Sequence, residues 1–568
     1  MLIWRLAVFF FDSAIPFDGV KSFYFQQMVD AISAISPGYE VPTYQDMRGR
    51  ILKKVLEEVK SHIQTYRKYW ASLGCTIMVD GWSDGRGMTL INFLVYCPKG
   101  TVFLRSVNAS EIVESAESMY ALFKEVVEEV GVNNVVQIIT DNVESYAIAG
   151  NMLCETYPSI FWSPCAARCI DLILFKIGEI EEVKKVIRTA REITKFIYNH
   201  ATVLNMMRKF TNGKELVWPS STRSATNFLT LQSMVAQKDG LRAMVTSKDW
   251  LDSAYAKKSN GTLVVDILLD SHFWTSCTQV IRYTEPLLRV LRMVDSEQRP
   301  AMGYIYEAML RVKDAIRIAF KSKKSDYMPI WDIVDSQWDR QLQRPLHAAG
   351  YVLNPACFFS PGFSDDHPGV TTGILDCIER LVSGQRNHDK VIKELNVYKS
   401  SGGDFGRSMA IRARNTMLPS DWWSTFGGQC PNLKRLAMRV LSQTCSASGY
   451  ECDWSVFVRM HTTKSNRLEH KRLTDLVFVH YNLRLRQREN AKMKLIDPIA
   501  LENIDTSEEW VVEFEPSMLE GDDDMDWMTL DRPIVGEDIP LELMSMEVGD
   551  GNTQVEQLGE EEDGTDIQ

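Results

Sequence analysis

The chain has 568 residues, 45% of them hydrophobic and 14 of them tryptophan, which is enough for two or three domains with cores of their own. Its net charge is −12, but residues 501–568 hold 23 of the 75 acidic residues and, of the 63 basic ones, only Arg532. Residues 1–500 therefore carry 62 basic against 52 acidic residues, a net charge of +10 that can meet phosphate groups.

Membrane and secreted proteins are the classes that the sequence excludes. No segment approaches the roughly 18 uninterrupted apolar residues of a membrane-spanning helix. The run Leu2–Phe11 is shorter, contains Arg5 and has no secretory cleavage pattern, so we expect it to be the buried start of a helix. The 11 cysteines, an odd number without repeated spacing, suit a reducing compartment. We therefore expect a soluble intracellular protein.

A helical segment is predicted before the first strand. Residues 12–70 show helical periodicity, and one apolar stripe consists of Ile51, Leu52, Val55, Leu56 and Val59. Short apolar runs with strand character follow. They are CTIMVD (75–80), INFLVYC (91–97), TVFLRSV (101–107) and VVQIITD (135–141).

The order of these elements predicts the type of sheet. The turn Pro98-Lys99-Gly100 joins the second and third strands into a hairpin. An amphipathic helix that ends at Gly131 precedes the fourth strand. Strand, hairpin, crossover helix and strand is how a ribonuclease-H-like sheet begins. In that fold, carboxylates at neighbouring strand ends hold the two divalent cations of phosphodiester chemistry.

Two of the predicted strands stop at an acidic residue, Asp80 and Asp141, and two interpretations of them stay open. They can be the first two members of a metal-binding carboxylate set. Alternatively, Asp80 is a turn residue before Gly81, and Asp141 caps the helix that starts near Val143.

Longer stretches resemble plant hAT-family transposase relatives. Residues 74–110 and 135–174 look like the core of these proteins, which often carry a domain of unknown function there. The resemblance continues through 216–235, 284–309 and 344–359 and ends at 421–457, which is similar to the hAT C-terminal dimerisation region. It implies an α/β fold, a ribonuclease-H-like mixed sheet interrupted by a large all-α insertion, with an acidic disordered C-terminal tail.

The resemblance also predicts a division of the chain. We expect an N-terminal helical segment, the first part of the core, a helical insertion, the return to the core with the dimerisation region, and the acidic tail. The boundaries are 1–70, 71–185, 186–400, 401–495 and 496–568. The tail contains GDDDMDW (521–527) and GEEEDG (559–564) and either solvates the protein, competes for its basic surface, or acts as an activation-type segment.

The family's catalytic acids fall on three positions of this chain. They are Asp80, Asp141 and Glu451, which the resemblance implies as ligands of Mg²⁺. The family motif around the third acid carries an arginine after the glutamate, whereas this chain has Cys452. We therefore treat the three acids as a candidate site, either active or vestigial.

Further departures from the family pattern concern DNA contacts. The family's Cys-x-x-His becomes Cys165-Ala166-Ala167-Arg168, so a permanent cation replaces an imidazole. The aromatic residue that normally follows Thr222-Arg223 is Ser224, which has no ring to stack on a base. The resemblance makes Arg168 and Arg223 candidate DNA-binding residues. The family's N-terminal zinc finger is expected to be missing, because the sequence starts inside the family's body.

The C-terminal region contains a large apolar set, Trp422, Trp423, Leu433 and Leu436. The resemblance implies that these residues contact a second subunit, but an intramolecular core explains them equally well. Cys165 and Cys169 lie one helical turn apart without a nearby histidine, so we predict no zinc site.

The sequence thus predicts a domesticated or degenerate hAT transposase-like protein. We expect a nuclear homodimer that binds DNA weakly or non-specifically and has no membrane partner or small-molecule substrate. The alternative is an active DDE-type transposase that cuts and joins DNA with two divalent metals. Asp80, Asp141 and Glu451 favour that activity, whereas Arg168, Ser224, Cys452 and the missing finger oppose it.

Overall fold

The described strands form one five-stranded mixed sheet. Its strands are β1 (Cys75–Ser83), β2 (Thr89–Cys97), β3 (Gly100–Asn108), β4 (Val135–Thr140) and β5 (Phe161–Pro164), in the order β3-β2-β1-β4-β5. Strand β2 pairs antiparallel with both β1 and β3, whereas β4 pairs parallel with β1 and β5 pairs parallel with β4. The computed structural model describes residues 2–13, 15, 17–35, 39–83, 89–219, 223–295, 299–367, 369–447 and 470–492.

Helices make up most of the remaining described structure. They are α1 (Leu2–Asp12), α2 (Phe23–Ile35), α3 (Tyr44–Asp46), α4 (Leu52–Leu73), α5 (Ala116–Val130), α6 (Glu144–Thr156), α7 (Ala166–Gly178), α8 (Glu181–Tyr198), α9 (Ala201–Phe210), α10 (Ala225–Ala236), α11 (Lys238–Thr246), α12 (Lys248–Leu251), α13 (Ser259–Leu269), α14 (Ser271–Asp295), α15 (Ile305–Ala319), α16 (Lys324–Gln337), α17 (Pro345–Leu353), α18 (Pro355–Phe358), α19 (Val370–Leu381), α20 (Gln385–Lys399), α21 (Ser408–Ala413), α22 (Pro419–Phe426), α23 (Pro431–Leu441) and α24 (His470–Lys492).

The predicted strands are confirmed, and the hairpin turns at the expected position between β2 and β3. Gly131 ends α5 with φ of 98°, a left-handed conformation that a side chain would strain. Strand β5 was not predicted, because FWSP is four residues long and ends in proline. It forms because it extends the sheet beside β4, which is buried along its whole length.

The two faces of the sheet pack against different helices. In β1, Cys75, Ile77 and Val79 belong to an apolar cluster that includes residues of α4, α5 and α6. Alternate residues of a strand point to opposite faces, so Met78 joins the second cluster, with α7 and the helical insertion. Asp80 has the same parity as Met78 and therefore lies on the face that α7 covers.

The long segment after the sheet is helical, as predicted, and the described part of residues 186–400 contains no strand. Helix α14 is its longest element and continues through Pro286. Helix α14 packs against α7, α10 and α15, so it connects the sheet's covering helix to the insertion. None of the helices in the described ranges has both the length and the apolar character that crossing a bilayer requires.

Helix α24 covers the edge strand β3. The Asn482 side chain accepts a hydrogen bond from the Phe103 amide at 3.1 Å and donates one to the Phe103 carbonyl at 2.9 Å. The Tyr481 ring stacks on the Phe103 ring at 4.8 Å between centroids. Backbone groups of an edge strand otherwise attract other strands, so this side chain closes the sheet at that position.

The N-terminal run corrects one prediction. Residues Leu2–Asp12 form helix α1 as expected, but the helix is not buried along its length. Phe10 is buried, whereas Val8, Phe9 and Phe11 are exposed. Helix α2 contains no buried residue at all. The apolar pattern correctly predicted helices, but the described protomer does not cover them.

A buried histidine makes the stability of the fold depend on pH. His347 in α17 is fully buried, and its Nδ1 bonds to the Leu342 carbonyl at 2.7 Å. The pKa of His347 is lowered to about 4, mainly by burial and also by the Arg344 charge, whereas its hydrogen bond to Leu342 acts in the opposite direction.

We expect the free energy of unfolding to fall as the pH drops from about 6.5 to about 4. In this range the histidine of the unfolded chain takes up a proton, whereas the histidine of the folded chain stays neutral. The shifted pKa of His347 changes the free energy of unfolding by about 3 kcal/mol over this range, and the full stability is present above pH ~6.5. Denaturant unfolding at pH 7 and pH 5 checks this result. His347→Gln should flatten that part of the profile, and an unchanged slope would contradict the assignment.

Candidate functional site

Asp80 and Asp141 lie side by side on one face of the sheet. Met78 of β1 is in register with Ile139 of the parallel strand β4. Asp80 and Asp141 each follow two residues later, so they share the same face and neighbouring positions, about 4.8 Å apart in the direction across the strands. Strand β1 continues to Ser83, and Val143 occupies the N-cap position of α6. The turn interpretation is therefore wrong for Asp80, and Asp141 does not occupy the N-cap position of α6.

Arg168 lies against both carboxylates. Strand β5 ends at Pro164, and α7 starts at Ala166, so Arg168 is in the first turn of the helix that covers this face. Its Nε is 3.4 Å from Oδ1 of Asp141, and its Nη2 is 3.9 Å from Oδ1 of Asp80. One guanidinium group thus interacts with the two acids that the sequence predicted as metal ligands.

The three side chains differ in their access to water. The Asp80 side chain is 8% exposed, that of Asp141 22%, and that of Arg168 34%. Charges interact more strongly where water is excluded, so the contact with Asp80 matters more than a surface ion pair of the same length. A fixed positive charge at these distances opposes a divalent cation at the same oxygens.

Tyr146 of α6 is a further ionisable residue close to the two carboxylates. The Tyr146 side chain is buried, and burial raises the pKa of its hydroxyl, with further upward contributions from Asp141 and Asp80. The phenol therefore stays protonated and neutral at physiological pH. Sequence reasoning missed this residue, because a tyrosine in a helix carries no signal of nearness to two strand ends.

The acidic residue of α7, Asp171, links the core to the helical insertion. The carboxylate of Asp171 accepts hydrogen bonds from the amides of Ser224 and Ala225, at 3.2 and 2.9 Å. Burial raises the pKa of Asp171, while these two bonds and the charges of Arg168 and Arg223 lower it. The acid among the apolar residues of CIDLIL was the available signal, but the sequence analysis did not use it.

Arg223, the other predicted DNA contact, lies just before α10. Its Nη1 is 3.6 Å from Oδ2 of Asp295 at the end of α14, and its side chain is 27% exposed. Both predicted DNA-binding arginines therefore interact with aspartates in the protomer. The Ser224 amide donates a hydrogen bond to Asp171, so Ser224 contributes to the contact between α7 and the start of α10.

The third predicted acid, Glu451, lies outside the described residues, as does Thr222. The chain before it approaches the site. The Ala166 amide donates to the Cys445 carbonyl at 2.9 Å, and the Ala447 amide donates to Cys165 Sγ at 3.3 Å. Burial raises the pKa of Cys165, so this residue is an inert thiol packed between the segment and the sheet.

The four predicted dimerisation residues lie inside the protomer. Trp422, Trp423 and Leu433 are 0% exposed, and Leu436 is 2% exposed. The indole nitrogens of Trp422 and Trp423 donate to the carbonyls of Ala410 and Leu353, at 2.9 and 2.7 Å. Of the two interpretations left open by the sequence, the structure places these side chains in an intramolecular core. A direct contact with a second subunit would require this region to open.

Comparisons with known families match two parts of the chain. Residues 42–193 match a domain of unknown function, DUF659, which covers β1 to β5, α7 and most of α8. Residues 394–483 match the hAT family C-terminal dimerisation region. The two matches support an hAT-family transposase-like protein. The hAT match suggests a homodimer. No curated protein matches the chain.

Proposed function

We propose that the protein is a degenerate hAT transposase-like protein with a ribonuclease-H-like core, which self-associates, binds DNA weakly and has lost strand-transfer activity. The strand order, with three antiparallel strands followed by two parallel ones, supports the fold assignment. The position of Arg168 against Asp80 and Asp141 is the observation that carries the loss of activity.

The acids of the site still fit the ancestral arrangement. Asp80 and Asp141 occupy neighbouring strand positions on the face under α7. The described chain reaches Ala447, which contacts Cys165, four residues before Glu451.

The guanidinium group of Arg168 interacts with the carboxylate oxygens that would otherwise bind a divalent cation. Two Mg²⁺ ions would neutralise the carboxylates and stabilise the charge that develops on a phosphodiester. The guanidinium group partly neutralises the same oxygens but brings no open coordination position. The residues described here therefore do not fit a metal pair while Arg168 holds this position, and we derive no catalytic step through one.

DNA binding in this proposal is weak and depends on salt. The net charge of +10 is spread over residues 1–500, and Arg168 and Arg223 each interact with an aspartate. Neutralising phosphates releases counterions, so affinity for arbitrary duplex DNA should fall steeply as salt increases. A nuclear location would follow from such a role.

The test is a cleavage assay with a metal-binding measurement. We expect no nicking of hairpin or terminal-repeat DNA with Mg²⁺ or Mn²⁺. Calorimetric titration should show weak Mn²⁺ binding by the wild type and about tenfold tighter binding by Arg168→Ala, because about 1.4 kcal/mol of opposing charge interaction is removed. Arg311→Ala, which removes an exposed arginine paired with Glu307 on α15, is the matched control and should change nothing.

Two outcomes contradict the proposal. Metal-dependent nicking by the wild type that disappears in Asp80→Ala and in Asp141→Ala would establish the active transposase instead. Equal Mn²⁺ affinity of the wild type and Arg168→Ala would show that Arg168 does not oppose metal binding.

A further inference from the structure

The N-terminal helices leave an apolar surface uncovered. Among the described residues, 24 large hydrophobic side chains are exposed, and half of them fall between Val8 and Met47, a small part of the chain. Single exposed apolar residues are normal on proteins, but a concentration of this kind marks an interaction site.

Helix α2 provides the centre of this surface. Met28, Ile32 and Ile35 are 48%, 43% and 57% exposed. Their spacing of four and three residues places them on one side of the helix, where they form an apolar stripe. Tyr24 and Phe25, in the first turn, continue the same side and are half-buried. The apolar face of α2 is therefore partly covered at its start and uncovered along the rest of its length.

The contacts at the start of α2 place Tyr24 near α24, a helix whose first part lies in the matched dimerisation region. The Phe25 ring meets Phe10 of α1 edge to face, at 5.7 Å between centroids. Burial raises the pKa of Tyr24, which also interacts electrostatically with Arg486 of α24 and Glu58 of α4. Arg486 and Glu58 lie 3.6 Å apart. The first residues of α24 belong to the segment that matches the hAT dimerisation region.

We propose that the stripe Met28–Ile32–Ile35 of α2 binds the same stripe of a second copy of this chain. The proposal rests on the self-association part of the proposed function and identifies the surface that performs it. The side chains first predicted for that role, such as Trp422 and Trp423, are enclosed in the protomer, so the contact needs another apolar surface. The stripe is exposed and uncharged, and it belongs to a helix whose first turn lies near α24.

Two-fold symmetry fits the shape of the stripe. In a two-fold dimer, the same patch of both subunits meets itself, so residue i of one copy contacts residue j of the other and the reverse. An apolar stripe without charged members is complementary to itself. A helix of 13 residues is marginally stable alone, and pairing would bury the face that now has no cover.

The experiment measures the mass of the full-length protein by light scattering over a range of concentrations. We expect the wild type at twice 64.9 kDa and the double variant Ile32→Glu, Ile35→Glu at 64.9 kDa, with a dissociation constant raised at least 100-fold. At a concentration low enough for both proteins to be monomeric, the thermal midpoint should not fall, because the substituted side chains are exposed in the protomer. Ile318→Glu, at a 68% exposed position of α15, is the matched control and should stay dimeric.

A mixing experiment tests whether the stripes of the two copies contact each other. Ile32→Glu and Ile32→Lys should each be monomeric, and their mixture should regain a dimer, because opposite charges then face each other. A double variant that remains dimeric overturns this surface but leaves self-association intact. A wild type that is monomeric at all concentrations overturns both the surface and the self-association of the proposed function. Covering of the stripe by another segment of the same chain would produce that second outcome.

Discussion

Replacing Arg168 by leucine is expected to lower the free energy of unfolding by about 2–3 kcal/mol at neutral pH, because the change leaves two carboxylates together without their cation. The loss is smaller than the roughly 3–5 kcal/mol for breaking a fully buried pair, since the Arg168 side chain is 34% exposed and water screens its charge. Acidification should restore part of the stability of the variant, because protonating one carboxylate relieves the repulsion between Asp80 and Asp141.

Denaturant unfolding of the wild type and Arg168→Leu at pH 7 and pH 5 measures both effects. Arg311→Leu removes an exposed arginine that pairs with Glu307 one helical turn away, and it should cost less than about 1 kcal/mol. Equal losses for the two variants would mean that Arg168 is an ordinary surface residue. The proposed suppression of metal binding would then lose its structural basis.

Replacing Trp423 by alanine is expected to lower the free energy of unfolding by about 3–5 kcal/mol, the range for removing a large buried aromatic side chain. Trp423 is fully buried, and its ring packs at 4.8 Å from Tyr398 and 5.3 Å from Phe405. The substitution also removes the hydrogen bond to the Leu353 carbonyl and leaves that acceptor unsatisfied.

Urea unfolding and light scattering separate the two roles considered for Trp423. Trp423→Phe should be destabilised less than Trp423→Ala and should keep the mass of the wild type, because the side chain packs inside the protomer. The matched control is Trp218→Ala, at a position that is 39% exposed, and its effect should be small. A folded Trp423→Phe that becomes monomeric would return this residue to the subunit interface.

The strands around the site could be predicted because their information is local. Apolar runs of strand length, the Pro98-Lys99-Gly100 turn and the helix that ends at Gly131 each depend on residues close in sequence. These signals correctly placed β1 to β4 and α5, as well as the helical character of residues 186–400. The short strand β5 was not predicted, because it is stabilised by its pairing with β4 and not by a local sequence signal.

The sequence also singled out Asp80, Asp141 and Arg168, but it could not say how they meet. The register of β1 against β4 sets the two acids side by side, and register depends on packing between segments some 60 residues apart. The turn at the end of β5 brings Arg168 over them. Only the folded chain thus brings the guanidinium group of Arg168 into contact with both carboxylates.

Burial is the other property that only the tertiary structure decided. Apolar residues at helical spacing identify a face, but they do not say whether the covering surface belongs to the same chain. Trp422 and Trp423 resembled a subunit interface and are enclosed, whereas the run Leu2–Phe11 was expected to be buried and exposes Phe9 and Phe11. The hydrophobic effect favours removal of apolar area from water but does not specify which surface covers it. Only the packed structure therefore shows which face is already covered.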